Sequence, residues 1–203
     1  NTRDGLGIKM LQAAGIPYTL YRLPGDKRIE PDEWAMGSLT MGFDPRCDGI
    51  LAVGSGVIND CCKVLAHACG LPSLVVCTAP SMDGYASNSS SMVVRRVKES
   101  LYNACPQAIL ADTDVLKTAP EVMLQAGLGD MLAKYVSVCE WRISHLVAGD
   151  AYCEEIAGLV RASLRKIVEH AEGLMRREDA ALEAVIEGLV LSGVAMAFAE
   201  ISR

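Results

Sequence analysis

Apolar residues are arranged in two ways along this chain. Up to about residue 116 they fall in short runs between glycine, proline and polar clusters, and from Pro120 onward they recur at helical spacing. In the first part, Leu51 to Val53 closes an apolar run and Gly54-Ser55-Gly56 follows as a turn. Ile58, Cys62, Leu65 and Cys69 then recur every three to four positions, and Ser73 to Cys77 is apolar again. This reads as buried strand, tight turn, helix, buried strand, with a long polar loop running on to Ser91. Upstream, Leu6, Met10 and Leu11 predict a helix from Asn1 to Ala14 ending at Gly15, Tyr18 to Leu23 a strand closed by Pro24-Gly25, and Pro31 to Gly42 a second helix. Downstream, Met92 to Val94 with Val97 alternates weakly, Asn103, Cys105 and Pro106 make a turn, and Ala108 to Ala111 is a short strand.

After Pro120, Val122, Leu132, Tyr135, Val136 and Leu146 mark one set of helical faces. Ile156, Leu159, Val160, Leu164, Ile167 and Val168 mark another, and Asp179 to Ile201 is a last long helix. The prediction is an α/β domain with a Rossmann-like parallel sheet over residues 1–116, followed by an all-α domain over 117–203. The chain opens in a helix with no strand before it, where a βαβ fold starts with a strand, so a segment is expected to precede it.

A glycine turn feeding a helix presents main-chain N–H groups and a positive dipole end, a setting for a phosphate. The spacing falls short of the dinucleotide fingerprint, because its third glycine position holds Asn59; an ordinary tight βα turn fits the same residues. The second buried strand ends in Thr78-Ala79-Pro80-Ser81-Met82-Asp83-Gly84, so both polar loops are expected at the carboxyl edge of one parallel sheet, where open α/β folds bind ligands.

Composition narrows this reading. Half of the 203 residues are apolar, and 19 Lys+Arg against 25 Asp+Glu make a mildly acidic chain. Nucleic acid and anionic membrane select basic patches, so neither is expected as a partner. The apolar run Leu189 to Ala199 is broken by Ser192 and Gly193 and is too short to span a bilayer; it is either core or interface in a homo-oligomer. No signal peptide is expected. The eight cysteines show neither a CxxC pair nor zinc-finger spacing and are expected as reduced core residues of a cytoplasmic protein.

With these residues in view, Gly54-Ser55-Gly56-Val57-Ile58-Asn59-Asp60 and Thr78-Ala79-Pro80-Ser81-Met82-Asp83-Gly84-Tyr85-Ala86-Ser87 resemble the paired loops of the sn-glycerol-1-phosphate dehydrogenases. These belong to the superfamily of glycerol dehydrogenase, iron-dependent alcohol dehydrogenase and dehydroquinate synthase. The resemblance continues through Ala111-Asp112-Thr113-Asp114 and Ala126-Gly127-Leu128-Gly129-Asp130-Met131-Leu132-Ala133-Lys134. It implies NAD(H) or NADP(H) at Gly54, Gly56, Val57, Ile58, Asn59, Asp60, Thr78, Ser81 and Ser87, with the reactive ring in a cleft, and Asp83 on the substrate. Asp130, where the first long helix of the helical part is expected to start, is implied as a catalytic residue that binds substrate and a divalent metal: zinc, or else nickel or iron.

Taken alone, Asp83-Gly84 is also a common turn dipeptide and Asp130 an N-cap carboxylate. The family's metal takes two further histidines. His67, His145 and His170 match neither position, and the ligands are expected beyond Arg203. The implied reaction is reduction of dihydroxyacetone phosphate to sn-glycerol 1-phosphate. A glycerol dehydrogenase, a dehydroquinate-synthase-like member of the superfamily, and a truncated non-catalytic nucleotide-binding protein stay open beside it.

Overall fold

The computed structural model describes residues 8–9, 11–24 and 28–199. They divide into two compact units: Asn1–Thr78 with Asn88–Leu110, and Ala79–Ser87 with Ala111–Arg203.

The first unit contains α1 (Glu33–Gly42), β1 (Ile50–Gly54), α2 (Gly56–Cys69), β2 (Ser73–Cys77), β3 (Ser89–Val94), β4 (Val97–Tyr102) and β5 (Ala108–Ala111). β1 and β2 run parallel, from Ile50 opposite Ser73 to Gly54 opposite Cys77, and β5 flanks β2 to give the order β1-β2-β5. Parallel pairing brings the carboxyl ends of β1 and β2 level, and the Thr78 N–H closes them by donating to the Gly54 carbonyl at 3.1 Å. α2 packs on this sheet and on β3. An apolar cluster forms where Cys61 of α2 meets Ala35 of α1 and Met92 of β3.

Several expectations change here. α1 begins at Glu33 rather than Pro31, because the Asp32 carboxylate accepts the Ala35 N–H at 2.9 Å and so caps the helix. Tyr18 to Leu23 is not a strand: the stretch leaves Tyr18, Leu20 and Tyr21 exposed, and among the described residues no ladder partner lies beside it. The weak alternation after Ser89 is a complete antiparallel hairpin, with Val94 opposite Val97. Its turn residues, Arg95 and Arg96, have φ of 52° and 66°, a conformation in which Asn-Gly is the usual signal. Of the helix expected over Asn1–Ala14, residues 8–9 and 11–13 are helical, followed by Gly15 at φ 65°; the rest lies outside the described residues. All eight cysteines are free, but only Cys61, Cys62 and Cys77 are buried, and Cys69, Cys105 and Cys139 are exposed. Burial pushes the Cys61 and Cys62 thiols up to about 12.

The second unit is helical: α3 (Thr113–Leu116), α4 (Glu121–Ala148), α5 (Glu154–Glu169), α6 (Ala171–Met175) and α7 (Asp179–Phe198). α7 is long and apolar enough to cross a membrane by length and composition, yet it serves as the core helix. Leu182, Val185, Ile186 and Leu189 are buried, and the helix packs on α5 and on the 3-10 turn Gly84–Ala86.

On α4 the expected apolar face is reversed. Val122, Leu132, Tyr135, Val136 and Leu146 are exposed, and the buried stripe is Leu124, Gly127, Met131 and Lys134. A glycine and a lysine in that stripe hide it from any hydropathy pattern. On α5, Val160, Leu164 and Ile167 are buried and Leu159 and Val168 exposed. The division expected near Lys117 falls a few residues earlier and leaves the loop Ala79–Ser87 with the helices. α3 packs on α7 through buried Leu116, and Arg177 donates to the carbonyls of Lys117 and Ala119.

Candidate functional site

In the first unit, β1 ends at Gly54 and α2 starts at Gly56, with Ser55 as an extended N-cap. A Cβ on Gly54 would stand 2.6 Å from Cβ of Ile58, so only glycine allows the strand to turn this directly into the helix. The first main-chain N–H groups, those of Gly56, Val57 and Ile58, have by position no intrahelical acceptor. The ladder begins with the Asn59 N–H, which donates to the Ser55 carbonyl at 3.0 Å.

Asn59 and Asp60, both expected at the cofactor, turn their side chains inward. The Asn59 amide donates to Asp60 Oδ1, the Ser91 N–H donates to Asp60 Oδ2 at 3.1 Å, and Lys63 stands 3.5 Å from Oδ1 while donating to the Ser89 carbonyl. Burial raises the proton affinity of Asp60, opposed by Lys63 and the Ser91 N–H. This pair fastens α2 to β3, and the N–H groups of Gly56 to Ile58 remain as the donors at the head of the helix. A dinucleotide fits a cradle of this kind, with glycine at the strand end and a 14-residue helix behind it.

In the second unit, the loop Ala79–Ser87 is seated on two helices by glycines. A Cβ on Gly127 of α4 would lie 1.9 Å from the Pro80 carbonyl oxygen, and one on Gly193 of α7 would lie 2.5 Å from that of Asp83. Tyr85, fully buried, donates its hydroxyl to the Ala79 carbonyl at 2.7 Å. The Ser81 N–H donates to the Ala79 carbonyl, and Ser87, buried, donates its hydroxyl to the Gly84 carbonyl.

The seated loop brings Asp83 to Asp130: the Asp83 N–H donates to Asp130 Oδ2 at 2.8 Å. The Asp83 carboxylate is held in turn, with Oδ2 2.6 Å from Lys134 Nζ and accepting the Ser192 hydroxyl at 3.0 Å. Asp130 does not start a helix. It lies inside α4, because Gly127 serves close packing rather than termination. Its proton affinity is raised first by burial and then by the Asp83 carboxylate, against the Lys134 ammonium and the Asp83 N–H.

A carboxylate whose proton affinity is raised by burial and by a neighbouring carboxylate is a setting that a divalent cation relieves, so Asp130 fits as one ligand of such an ion. It does not suffice alone, and among the described residues no three His, Cys, Asp or Glu side chains come together. His67 is exposed in the last turn of α2, His145 bonds the Asp150 carbonyl, and His170 bonds the Lys166 carbonyl. A cavity of about 450 Å³ opens next to Lys134 and Ser192, lined also by Trp141, Ser144 and Met196.

Sequence reasoning passed over Lys134 and Ser192. The available signals were the position of Lys134 one turn after Asp130 and the break that Ser192 and Gly193 make in an apolar run.

Comparison with known proteins identifies relatives of the chain. The glycerol-1-phosphate dehydrogenase [NAD(P)+] of Bacillus velezensis is 33% identical over all of this chain, which covers 53% of that protein. The Bacillus subtilis enzyme of the same name is 36% identical over 86% of the chain and 44% of its own length. The chain thus spans about half the length of the curated relatives it matches. Among solved structures, glycerol dehydrogenase from Schizosaccharomyces pombe superposes with a TM-score of 0.78 at 25% identity, over 94% of this chain and 50% of that one. The model of the iron-containing alcohol dehydrogenases matches residues 9–120, across the glycine turn and the Asp83 loop, and the chain belongs to that family.

Proposed function

We propose that this chain is part of an NAD(P)H-dependent, metal-dependent dehydrogenase that reduces dihydroxyacetone phosphate to sn-glycerol 1-phosphate. The observation that carries the reading is the Asp83–Asp130 contact, built on a loop within the span shared with the glycerol-1-phosphate dehydrogenases. The N–H groups of Gly56, Val57 and Ile58 take the cofactor pyrophosphate, with Thr78 of the same unit as a further contact. Asp130 is one metal ligand. Bound zinc, nickel or iron supplies Lewis acidity at a ketone oxygen, and bound NAD(P)H supplies hydride. Asp83, with Oδ2 held by Lys134 and Ser192, contacts a substrate hydroxyl. A cytoplasmic location and assembly as a homo-oligomer belong to the same reading, and sedimentation of the purified protein tests the second.

Glycerol dehydrogenase is the second reading, favoured by the Schizosaccharomyces pombe structure. The deciding experiment offers the intact protein dihydroxyacetone phosphate and NADH or NADPH, and separately glycerol with NAD+ or NADP+. Oxidation of NAD(P)H with formation of sn-glycerol 1-phosphate, abolished by chelator and restored by metal, is expected. Turnover of glycerol alone favours the second reading, and full activity in excess chelator overturns both.

A further inference from the structure

Lys134 is buried, at 8% exposure, and its ammonium is used on one carboxylate. It follows Asp130 by one helical turn, so α4 presents both on the same stripe. Its Nζ lies 2.6 Å from Asp83 Oδ2, and Met196, one turn beyond Ser192 on α7, backs it at 3.5 Å. Ser192 donates to the same Oδ2. Stability alone does not explain this placement: a buried ion pair is often matched or bettered by apolar residues of similar volume. What the pair does is orient. With the Asp83 carboxylate gripped from α4 and α7, its main-chain N–H is kept on Asp130 Oδ2, and Asp130 is kept in one orientation.

We infer that Lys134, assisted by Ser192, is a positioning residue for the metal ligand Asp130, acting through Asp83. The inference rests on the metal-dependent reading above. Residues behind a metal ligand set its orientation, and their loss weakens metal binding without removing a ligand. Lys134 therefore contributes to metal affinity although it is a cation beside a cation site.

The test measures Zn2+ binding to the intact protein by equilibrium dialysis, with NADH affinity, kcat, KM and melting temperature recorded alongside. Lys134→Met should raise the Zn2+ dissociation constant about 10–100-fold and lower kcat, with NADH affinity changing by less than about twofold. Ser192→Ala, a milder change that retains the fold, should shift Zn2+ affinity in the same direction by less. Because Lys134 positions Asp130 through Asp83, Lys134→Met should cause no further loss of Zn2+ affinity in an Asp83→Asn background. Zn2+ affinity unchanged in Lys134→Met and Ser192→Ala, or additive losses in the double variant, overturns the inference and leaves the dehydrogenase reading standing. A parent protein that binds no Zn2+ overturns both. A fall in melting temperature with unaltered Zn2+ affinity assigns Lys134 to stability only and also overturns it.

Discussion

The main-chain N–H of Asp83 donates to Oδ2 of Asp130 at 2.8 Å, across 47 positions of sequence. One carboxylate thus has two tasks, as acceptor for the loop and as the candidate metal ligand, and substitution separates them. Asp130→Asn keeps an oxygen for the Asp83 N–H while removing the charge. It should fold normally, lose bound zinc, and turn over at least ~100-fold more slowly. Asp130→Ala also strands the N–H and should cost a further 1–3 kcal/mol, roughly, in chemical denaturation.

Gly127 and Gly129 sit two residues apart on α4 and should respond oppositely to alanine. At Gly127 the new methyl meets the Pro80 carbonyl, so the loop carrying Asp83 must shift; a loss of about 1–3 kcal/mol is expected, together with reduced zinc affinity. At Gly129 nothing lies within 4 Å, and Gly129→Ala should stabilise the helix by about 0.5–1 kcal/mol with activity retained. Urea denaturation of the two variants checks both signs.

Gly54→Ala addresses the other unit. The methyl collides with Ile58 in the first turn of α2, displacing the N–H groups assigned to the pyrophosphate. NADH affinity should fall about tenfold, equivalent to ~1.4 kcal/mol, while zinc binding is unaffected. Fluorescence titration with NADH reads the first, and metal analysis the second.

The Asp60–Lys63 pair sets a pH dependence. Asp60 has a raised folded pKa, so its ionised form carries a penalty that is complete above that pKa and disappears as pH falls towards the ordinary value of 3.8. Lys63 offsets part of the penalty, and only while Asp60 is ionised. Lys63→Met should therefore destabilise by about 3–5 kcal/mol at neutral pH. The deficit should narrow on acidification, when protonated Asp60 no longer needs a cation. Denaturation midpoints of parent and variant at pH 7 and pH 5 give the comparison, and a widening gap at low pH contradicts it.

The parallel sheet and its glycine turn were legible because β1, α2 and β2 each follow one simple period, and Gly54 marks the junction where only glycine fits. The hairpin was hidden because Arg95-Arg96 holds a left-handed turn with residues that do not advertise one. The buried side of α4 was misread for a related reason: its inward residues include Gly127 and Lys134, while valine and leucine point outward. In the candidate site, Asp83 and Asp130 were reached through the wording of two motifs. Their contact and the supports Lys134 and Ser192 depend on three segments far apart in sequence, and local periodicity carries no record of that.

The loop Ala79–Ser87 belongs with the helices although it follows directly on a strand of the sheet, so the polypeptide passes from one unit to the other after Thr78, returns after Ser87, and leaves again after Leu110. Neither half can be made whole by severing a single peptide bond. Expression of 1–116 or 117–203 alone would strand the Asp83 loop from the helices that shape it, which makes the two units one inheritance: an insertion, nick or recombination point between them must spare three junctions at once.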